Sequence, residues 1–433
     1  MTSKKDKTIG DQNWELLFKK YNILEKIKET GHFIITSQQI NEFRESRLMT
    51  KFDHKNNLPL IFQANRLSIL PLTRGSYIIA RFEAYQTVEY SKDIKSISVP
   101  KRYDLESIDY NNIYSESAAL NCAFVSGIIQ DVLEEKCELT VNGRMSSKNF
   151  EFCIKESESP YDEKKIKVEN SQCEIDGGFE SETKLALIEA KNIKCEDFLI
   201  RQIYYPYRLW KERVSKKVVP IFMTYSNDKF SFFIYEFNKD DSYNSLKLIE
   251  QKDYVMAPEP INLEDIKEIL SKVGIKPELN VPFPQANNFS RVVDLLGLLV
   301  ENELSNEEIT SKYDFDKRQT EYYFNAGKYI GLIDKFKDAD RGLVVRLTEK
   351  GREIMSFPHK DKNLEFVRCI LEHRTFKESL ELYFKKLERP SKDEIVEIMK
   401  RDNLQGVGSD ETYGRRAQTV LKWIDWILDL VDD

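Results

Sequence analysis

Histidine is scarce: the 433-residue chain carries four, His32, His54, His359 and His373. None sits in a recognisable nucleophile context, which argues against Ser-His-Asp or Cys-His hydrolysis. Neither GxxxxGK[ST] nor GxGxxG occurs, so both common nucleotide-cradling loops are missing. The six cysteines (Cys122, Cys137, Cys153, Cys173, Cys195, Cys369) form no C-x-x-C pair and have no nearby H-x₃₋₅-H, which removes a zinc site. No stretch approaches the ~18 uninterrupted apolar residues of a membrane-spanning helix. The opening MTSKKDKTIGDQNWELLF has charges but no apolar segment followed by small residues, so no export signal is expected. Reduced thiols and a cytoplasmic location follow as expectations.

What is present points to a folded chain. Hydrophobic residues make up 41% and aromatics 12%, too many for a disordered or fibrous protein. At roughly 100–200 residues per domain, the length suggests about two to four domains. Lys+Arg number 66 against 73 Asp+Glu, a net charge of −7 that disfavours a non-specific nucleic-acid coat. The charge is uneven. Residues 1–100 carry 16 basic and 11 acidic residues, 101–280 carry 25 and 33, and 281–433 carry 25 and 29. Three prolines in PELNVPFPQANNF (277–289) cannot continue a helix, so a linker is expected there.

In the N-terminal block Trp14, Leu17, Phe18 and Tyr21 recur at helical spacing, and Leu24 extends that face. FIITSQQINEF and LSILPLTRGSYIIARFEAY then read as strand, helix and strands. Between them Arg44, Arg47, Lys51 and Lys55 fall within twelve residues. They suit phosphate contact, or equally a solvated loop, because Glu45 and Asp53 are interspersed.

From 106 to 238 the pattern is helix, strands, helix, strands. ESAALNCAFVSGIIQDVLEE reads as one helix with Leu120, Phe124 and Ile128 on a face and Glu116 at its start. CELTVNG and FEFCIKE read as strands, followed by a charged polar stretch. SQCEIDGGFE and LALIEAKN form a hairpin, EDFLIRQIYYPYRLWKERV a helix, and VVPIFMTY and FSFFIYEF strands. The informative residues are Asp176 on the first arm of the hairpin and Glu189 with Lys191 on the second. Strand alternation puts Glu189 and Lys191 on one face and Ala190 on the other, after the wholly apolar LALI. Charges ending a buried strand need compensation, and a divalent metal held by Asp176 and Glu189 would supply it. Oxygen ligands of this kind suit Mg²⁺. Glu174 shares the face of Asp176 as a further ligand or a solvated residue, and the glycines after Asp176 allow close approach of a ligand.

This D…E-x-K arrangement resembles the PD-(D/E)xK nuclease superfamily over residues 106–238. The resemblance implies a restriction-endonuclease-like αβββαβ core with a mixed sheet. Asp176 matches the first acidic residue, and Glu189 and Lys191 the E-x-K, while Ile175 replaces the frequent proline. The following helix carries Arg201 and Gln202; a glutamine there recurs in part of the superfamily, although Tyr205 and Tyr207 break its usual Gln-x-x-x-Tyr spacing. Glu116 matches the acidic residue that some members supply from the first helix. The implied chemistry is Mg²⁺-dependent phosphodiester hydrolysis: Asp176 and Glu189 hold metal, Lys191 orients or helps deprotonate water, and Gln202 assists. The helix end from 201 to 217 adds Arg201, Arg208, Lys211, Arg213, Lys216 and Lys217 against Glu212, a track for a DNA backbone or a basic solvated surface.

Beyond the linker, FSRVVDLLGLLVEN, NEEITSKY, KRQTEYYFNAGKYIGLI and the hairpin around GLVVRLTEKG read as a winged helix, with a capping box Ser305–Glu308 and a turn DFD. Lys317, Arg318, Gln319, Tyr322 and Asn325 are its candidate groove contacts. A second box, Ser391–Glu394, precedes TYGRRAQTVLKWIDWILDL, where Arg415, Arg416 and Gln418 resemble a second such unit without a clear wing. Both units suit DNA contact or protein–protein docking. The expected division is therefore 1–105, 106–275, 285–355 and 356–433, in a multidomain α/β (α+β) chain. The whole resembles a prokaryotic type II restriction endonuclease: a site-specific, Mg²⁺-dependent deoxyribonuclease acting on double-stranded DNA. No membrane partner is expected, a homodimer is compatible, and a cognate DNA methyltransferase would be encoded nearby. The alternatives are a repair or structure-specific nuclease, or a non-catalytic DNA-binding regulator with a nuclease-like core.

Overall fold

The computed structural model describes residues 7–431 apart from 92, 103, 112, 158, 257–259, 279, 313–316, 340 and 403; the side chains of 159–162, 311, 312, 317 and 318 also lie outside the description. The chain is a mixed α/β protein with seventeen α-helices and a seven-stranded mixed sheet among the described residues. None of those helices is long and apolar enough to cross a membrane.

The N-terminal unit contains α1 (Ile9–Tyr21), α2 (Ile23–Thr30), β1 (Phe33–Thr36), α3 (Ser37–Asn41), α4 (Ser46–Met49), α5 (Leu60–Ala64), β2 (Ser68–Pro71) and β3 (Ser76–Ala80). Thr8 and Asp11 cap α1 reciprocally, which fixes where the helix starts. The expected apolar face is real: Trp14, Leu17 and Phe18 are buried, with the Trp14 and Phe62 rings edge-on at 4.8 Å. The three strands form an antiparallel sheet in the order β1-β3-β2.

The central unit adds β4 (Tyr85–Thr87), β5 (Ile97–Val99), α6 (Glu116–Val125), α7 (Ile128–Leu133), β6 (Cys137–Ser146), β7 (Asn149–Glu156), β8 (Ser159–Glu169), β9 (Gln172–Ser181), β10 (Lys184–Lys191) and β11 (Asp197–Leu199). It closes with α8 (Arg201–Lys211), β12 (Lys217–Ser226), β13 (Lys229–Phe237) and β14 (Leu246–Met256). The large sheet runs β5-β14-β13-β12-β10-β9-β6. Its β10–β12 and β14–β5 pairs are parallel and the rest antiparallel. Side chains alternate to two cores: Leu185 and Leu187 join the one that includes α8, and Ala186, Ile188 and Ala190 the one under α6.

Four expectations need correction. β4 pairs with β11 and β5 with β14, so residues 85–99 belong to the central unit and not to an N-terminal domain ending at 105. Strands of three residues carry no period of their own; distant partners decide them. The expected single helix from 116 breaks at Gly127, whose φ of 81° no helix accepts. The charged stretch after FEFCIKE is strand β8, which pairs with β7 in a separate sheet and buries Ile166 and Val168 by simple alternation. The helix expected from Glu196 starts only at Arg201, because residues 197–199 are spent on β11.

The C-terminal unit comprises α9 (Leu263–Lys272), α10 (Phe289–Leu298), β15 (Leu304–Ser305), α11 (Asn306–Lys312), α12 (Lys317–Tyr329), β16 (Ile333–Asp338), β17 (Gly342–Leu347), α13 (Glu349–Met355), α14 (His359–Leu371), α15 (Arg374–Lys386), α16 (Lys392–Met399) and α17 (Asp410–Leu428). Both capping boxes form: Glu308 N–H donates to Ser305 Oγ (3.2 Å) and Glu394 N–H to Ser391 Oγ (3.3 Å). The expected turn DFD lies outside the described residues. α9, expected in the middle domain, packs against α14, with Lys360 Nζ 2.9 Å from Asp265 Oδ2. The Pro-rich run is non-helical as expected but is no free tether: Phe283 is buried and its N–H donates to Gln405 O at 2.9 Å. Residues beyond 356 hold four helices and no strand among those described, so the second module has no wing.

Candidate functional site

The end of β10 concentrates the ionisable groups singled out in the sequence. Glu189 and Lys191 continue the face of Leu187 and are 7% and 8% exposed. Lys191 Nζ donates to Glu189 Oε1 at 2.5 Å, and Gln202 Nε2 from the start of α8 donates to the same oxygen at 2.5 Å. The β9–β10 ladder ends at the pair Ile188–Gly177. One position further on, Asp176 Oδ2 accepts the Ala190 N–H at 2.9 Å, so a carboxylate replaces a rung of the sheet. Asp176, Glu189, Lys191 and Gln202 thereby meet in one cleft of about 170 Å³.

The glycines after Asp176 serve packing, not ligand approach. A Cβ on Gly178 would stand 2.7 Å from Val141 Cβ, and one on Gly177 2.7 Å from Phe179 Cε2. Glu116, at the start of α6, lines the same cleft, with Lys191 Nζ 3.7 Å from its Oε1. Arg201 lines it as well, while Glu174 lies at the rim, paired with Arg144 at 3.1 Å.

Two further lining residues, Lys51 and Asp53, come from the N-terminal unit. The segment carrying them is docked on β11. His54 Nδ1 lies 2.5 Å from Asp197 O, Lys55 N–H donates to Asp197 Oδ1 (3.1 Å), and Leu199 N–H donates to Asp53 O (2.9 Å). Asp53 carried no sequence signal as a site residue; only this docking brings it in. His54 also stands 3.9 Å from Cys195 Sγ, but both side chains are fully buried, so the trio with Asp197 is a structural pin without access for a substrate.

The electrostatics are those of crowded carboxylates. Burial, reinforced by Asp176 and Glu116 against the opposing Lys191, pushes Glu189 up to about 8. Glu116 rises by burial and by Asp176. Burial opposes the charge on Lys191, but Glu189, Glu116, Asp53 and Asp176 outweigh it and hold the ammonium well above its ordinary range. Burial likewise opposes ionisation of Asp53, yet Lys191, Lys51 and Arg201 hold it below the usual carboxylate value. Lys191 thus faces four carboxylates at once, with Lys51 and Arg201 also bearing on Asp53.

Among the described residues no group of three or more His, Cys, Asp or Glu side chains closes into a metal cage. The two carboxylates Asp176 and Glu189 each have one oxygen engaged, Oδ2 and Oε1, leaving Oδ1 and Oε2 as ligands. An all-oxygen pair of this kind fits Mg²⁺, which takes one or two carboxylates and completes its shell with water and phosphate.

The DNA-contact candidates scatter. Arg44 is tied to Glu307 of α11 at 2.8 Å and so docks two units together. Arg47 is exposed, and Lys51 and Arg201 face the cleft. The basic track after α8 is compensated: Lys216 pairs with Glu180 (2.7 Å), Lys217 with Glu236 (2.8 Å) and Lys211 with Asp240 (3.9 Å), while Arg213 stacks on Trp210. On α12 Gln319 is exposed, Tyr322 is half-buried, and Asn325 Oδ1 accepts from Lys335 Nζ at 2.8 Å; the Lys317 and Arg318 side chains lie outside the described residues. Arg416 of α17 is half-buried within electrostatic reach of Tyr322, and its neighbour Arg415 is exposed beside Glu411.

No curated protein and no solved structure matches the chain. Three family models do: each is a domain of unknown function, DUF6996 over residues 11–79, DUF6997 over 80–255 and DUF7226 over 291–432.

Proposed function

We propose that the protein is a metal-dependent endonuclease of the PD-(D/E)xK type that cleaves double-stranded DNA at a defined site, in the manner of a type II restriction enzyme. The observation that carries this reading is the convergence of Asp176, Glu189, Lys191 and Gln202, from two strands and a helix, in one cleft. The frame around them supports it. Helices α6–α7 lead into the antiparallel β6, β9 and β10, and α8 crosses to β12, which runs parallel to β10. The inserted β7–β8 hairpin leaves that order intact. In the C-terminal unit the succession α10, β15, α11, α12, β16, β17 supports a winged helix as the reading module.

A divalent cation bound by Asp176 and Glu189 supplies the Lewis acidity that phosphodiester hydrolysis requires. The chain's own residues do the rest. Gln202 fixes the Glu189 carboxylate, which directs Oε2 away from the shared hydrogen bonds. Lys191, kept protonated by the carboxylates around it, places positive charge beside the phosphate and orients the attacking water. Lys51 and Arg201 at the cleft wall add charge to hold the DNA backbone. The test is incubation of the purified chain with phage DNA with and without Mg²⁺. Discrete fragments with Mg²⁺ alone are expected; no fragments at any salt concentration would sink the reading.

A further inference from the structure

Among the described residues two half-buried arginines donate to no acceptor in the chain: Arg201 at the cleft, and Arg416 on α17, far along the sequence from it. Other arginines of the C-terminal unit are satisfied. Arg389 grips Asp425 with bonds of 2.9 and 2.7 Å, and Arg291 donates to Lys194 O at 3.0 Å. Arg416 is sealed at its neck and open at its tip: Nε is shielded from solvent without a partner, whereas Nη1 and Nη2 are neither shielded nor paired. Burial, then the neighbouring Arg415, pull its pKa below the usual arginine value, and Tyr322 of α12 opposes them. Arg415 is itself 65% exposed, with Glu411 3.7 Å away. An unpaired guanidinium held half out of water costs free energy that the chain alone does not recover. An anion at the tip would recover it, and the planar fork fits two phosphate oxygens at once. The position names the source of that phosphate. Arg416 is within electrostatic reach of the helix that the winged-helix reading lays in a DNA groove, and phosphates line both edges of every groove. The described residues beyond 356 hold no strand, so α17 has no wing with which to read on its own.

We propose that Arg416, with Arg415 next to it, clamps a backbone phosphate of duplex DNA beside α12, so that α17 is a backbone contact of the winged helix and not a second reader. This rests on the DNA-cleaving reading above and adds a contact far from the cleft. The experiment is fluorescence anisotropy of the full-length chain on a short mixed-sequence duplex in EDTA, over a series of NaCl concentrations. One phosphate contact contributes about 0.9 to the slope of log K against log[NaCl]. Arg416→Met keeps the stem and removes the charge. It should lose about that much slope and bind about tenfold more weakly at low salt. Its melting temperature without DNA should not fall, because the charge removed had no partner. An unchanged slope in Arg416→Met, with phage DNA still cut by the wild type, overturns the clamp and leaves the nuclease reading standing. No duplex binding by the wild type, together with uncut phage DNA, overturns both. If Arg416→Met fails to fold, Arg415→Met at its exposed position decides: a lowered slope supports the clamp, and an unchanged one overturns it.

Discussion

Two of the buried charged clusters in this molecule are built in opposite ways. At the β12–β13 turn, Asp228 is clasped by His359 Nδ1 (2.8 Å) and Lys362 Nζ (2.9 Å) of α14: one carboxylate between an imidazole and an ammonium. Burial works against its charge, but Lys362 and His359 hold it far below the usual carboxylate range. At the end of β10 the ratio is inverted, with four carboxylates around Lys191 and Glu189 pushed up to about 8. A closed cluster that satisfies itself fastens two units together. The open one, where carboxylates outnumber the lysine among them, is the cluster on which the proposed function rests.

The comparison is most severely tested by removing a member from each cluster. Lys191→Met should lower Mg²⁺-dependent cleavage by at least about 10²-fold while DNA binding in EDTA stays close to wild type. Cleavage that survives would mean the wrong hairpin has been chosen. Asp228→Ala should do the reverse, costing about 3–5 kcal/mol of unfolding free energy because it strands His359 and Lys362. Urea titration measures this, and per folded molecule the cleavage rate should be unchanged.

Asp294 sharpens the contrast with pH. It sits on α10 against the same turn, accepting from Ser226 Oγ at 2.6 Å, but its Oδ2 is buried without a partner. Burial raises its pKa from 3.8 to about 6. A carboxyl with a raised folded value costs stability once ionised: nothing below pH 4, and the full amount above pH 6. Asp294→Asn should therefore stabilise the chain at pH 8 by up to about 3 kcal/mol and leave it unchanged at pH 4. Equal effects at both values would show that Asp294 is satisfied after all. Asp228 has the opposite sign: its lowered value gives stability above the ordinary carboxylate range, lost only as pH falls through its own lower pKa. The smallest effect belongs to Arg44→Ala. Its bridge to Glu307 is partly exposed on both sides and is worth no more than about 1 kcal/mol by thermal melting.

Glu189 and Lys191 were legible because strand alternation is local: two residues apart, after an apolar run, they share a face whatever the rest of the chain does. Asp176 was legible as the other arm of a hairpin. Arg44, Lys216 and Lys217 were misleading for the converse reason, since a basic residue shows its charge in sequence but not the acid that neutralises it. The charged strand β8 was missed because Lys164, Lys165 and Lys167 mask the alternation of Ile166 and Val168.

By itself, then, the sequence determined what periodicity and capping can encode: the face of α1, the buried strand β10 with its Glu-x-Lys end, the helix starts at Ser305 and Ser391, and the absence of a long apolar span. Tertiary structure alone decided that residues 85–99 join the central sheets, that a Pro-rich run is packed, and that Asp53 and Lys51 line the cleft with Lys191. Those outcomes depend on contacts between segments more than a hundred residues apart, such as His54 on Asp197. No local pattern records them, because the free energy that fixes them arises only when the separately formed units dock.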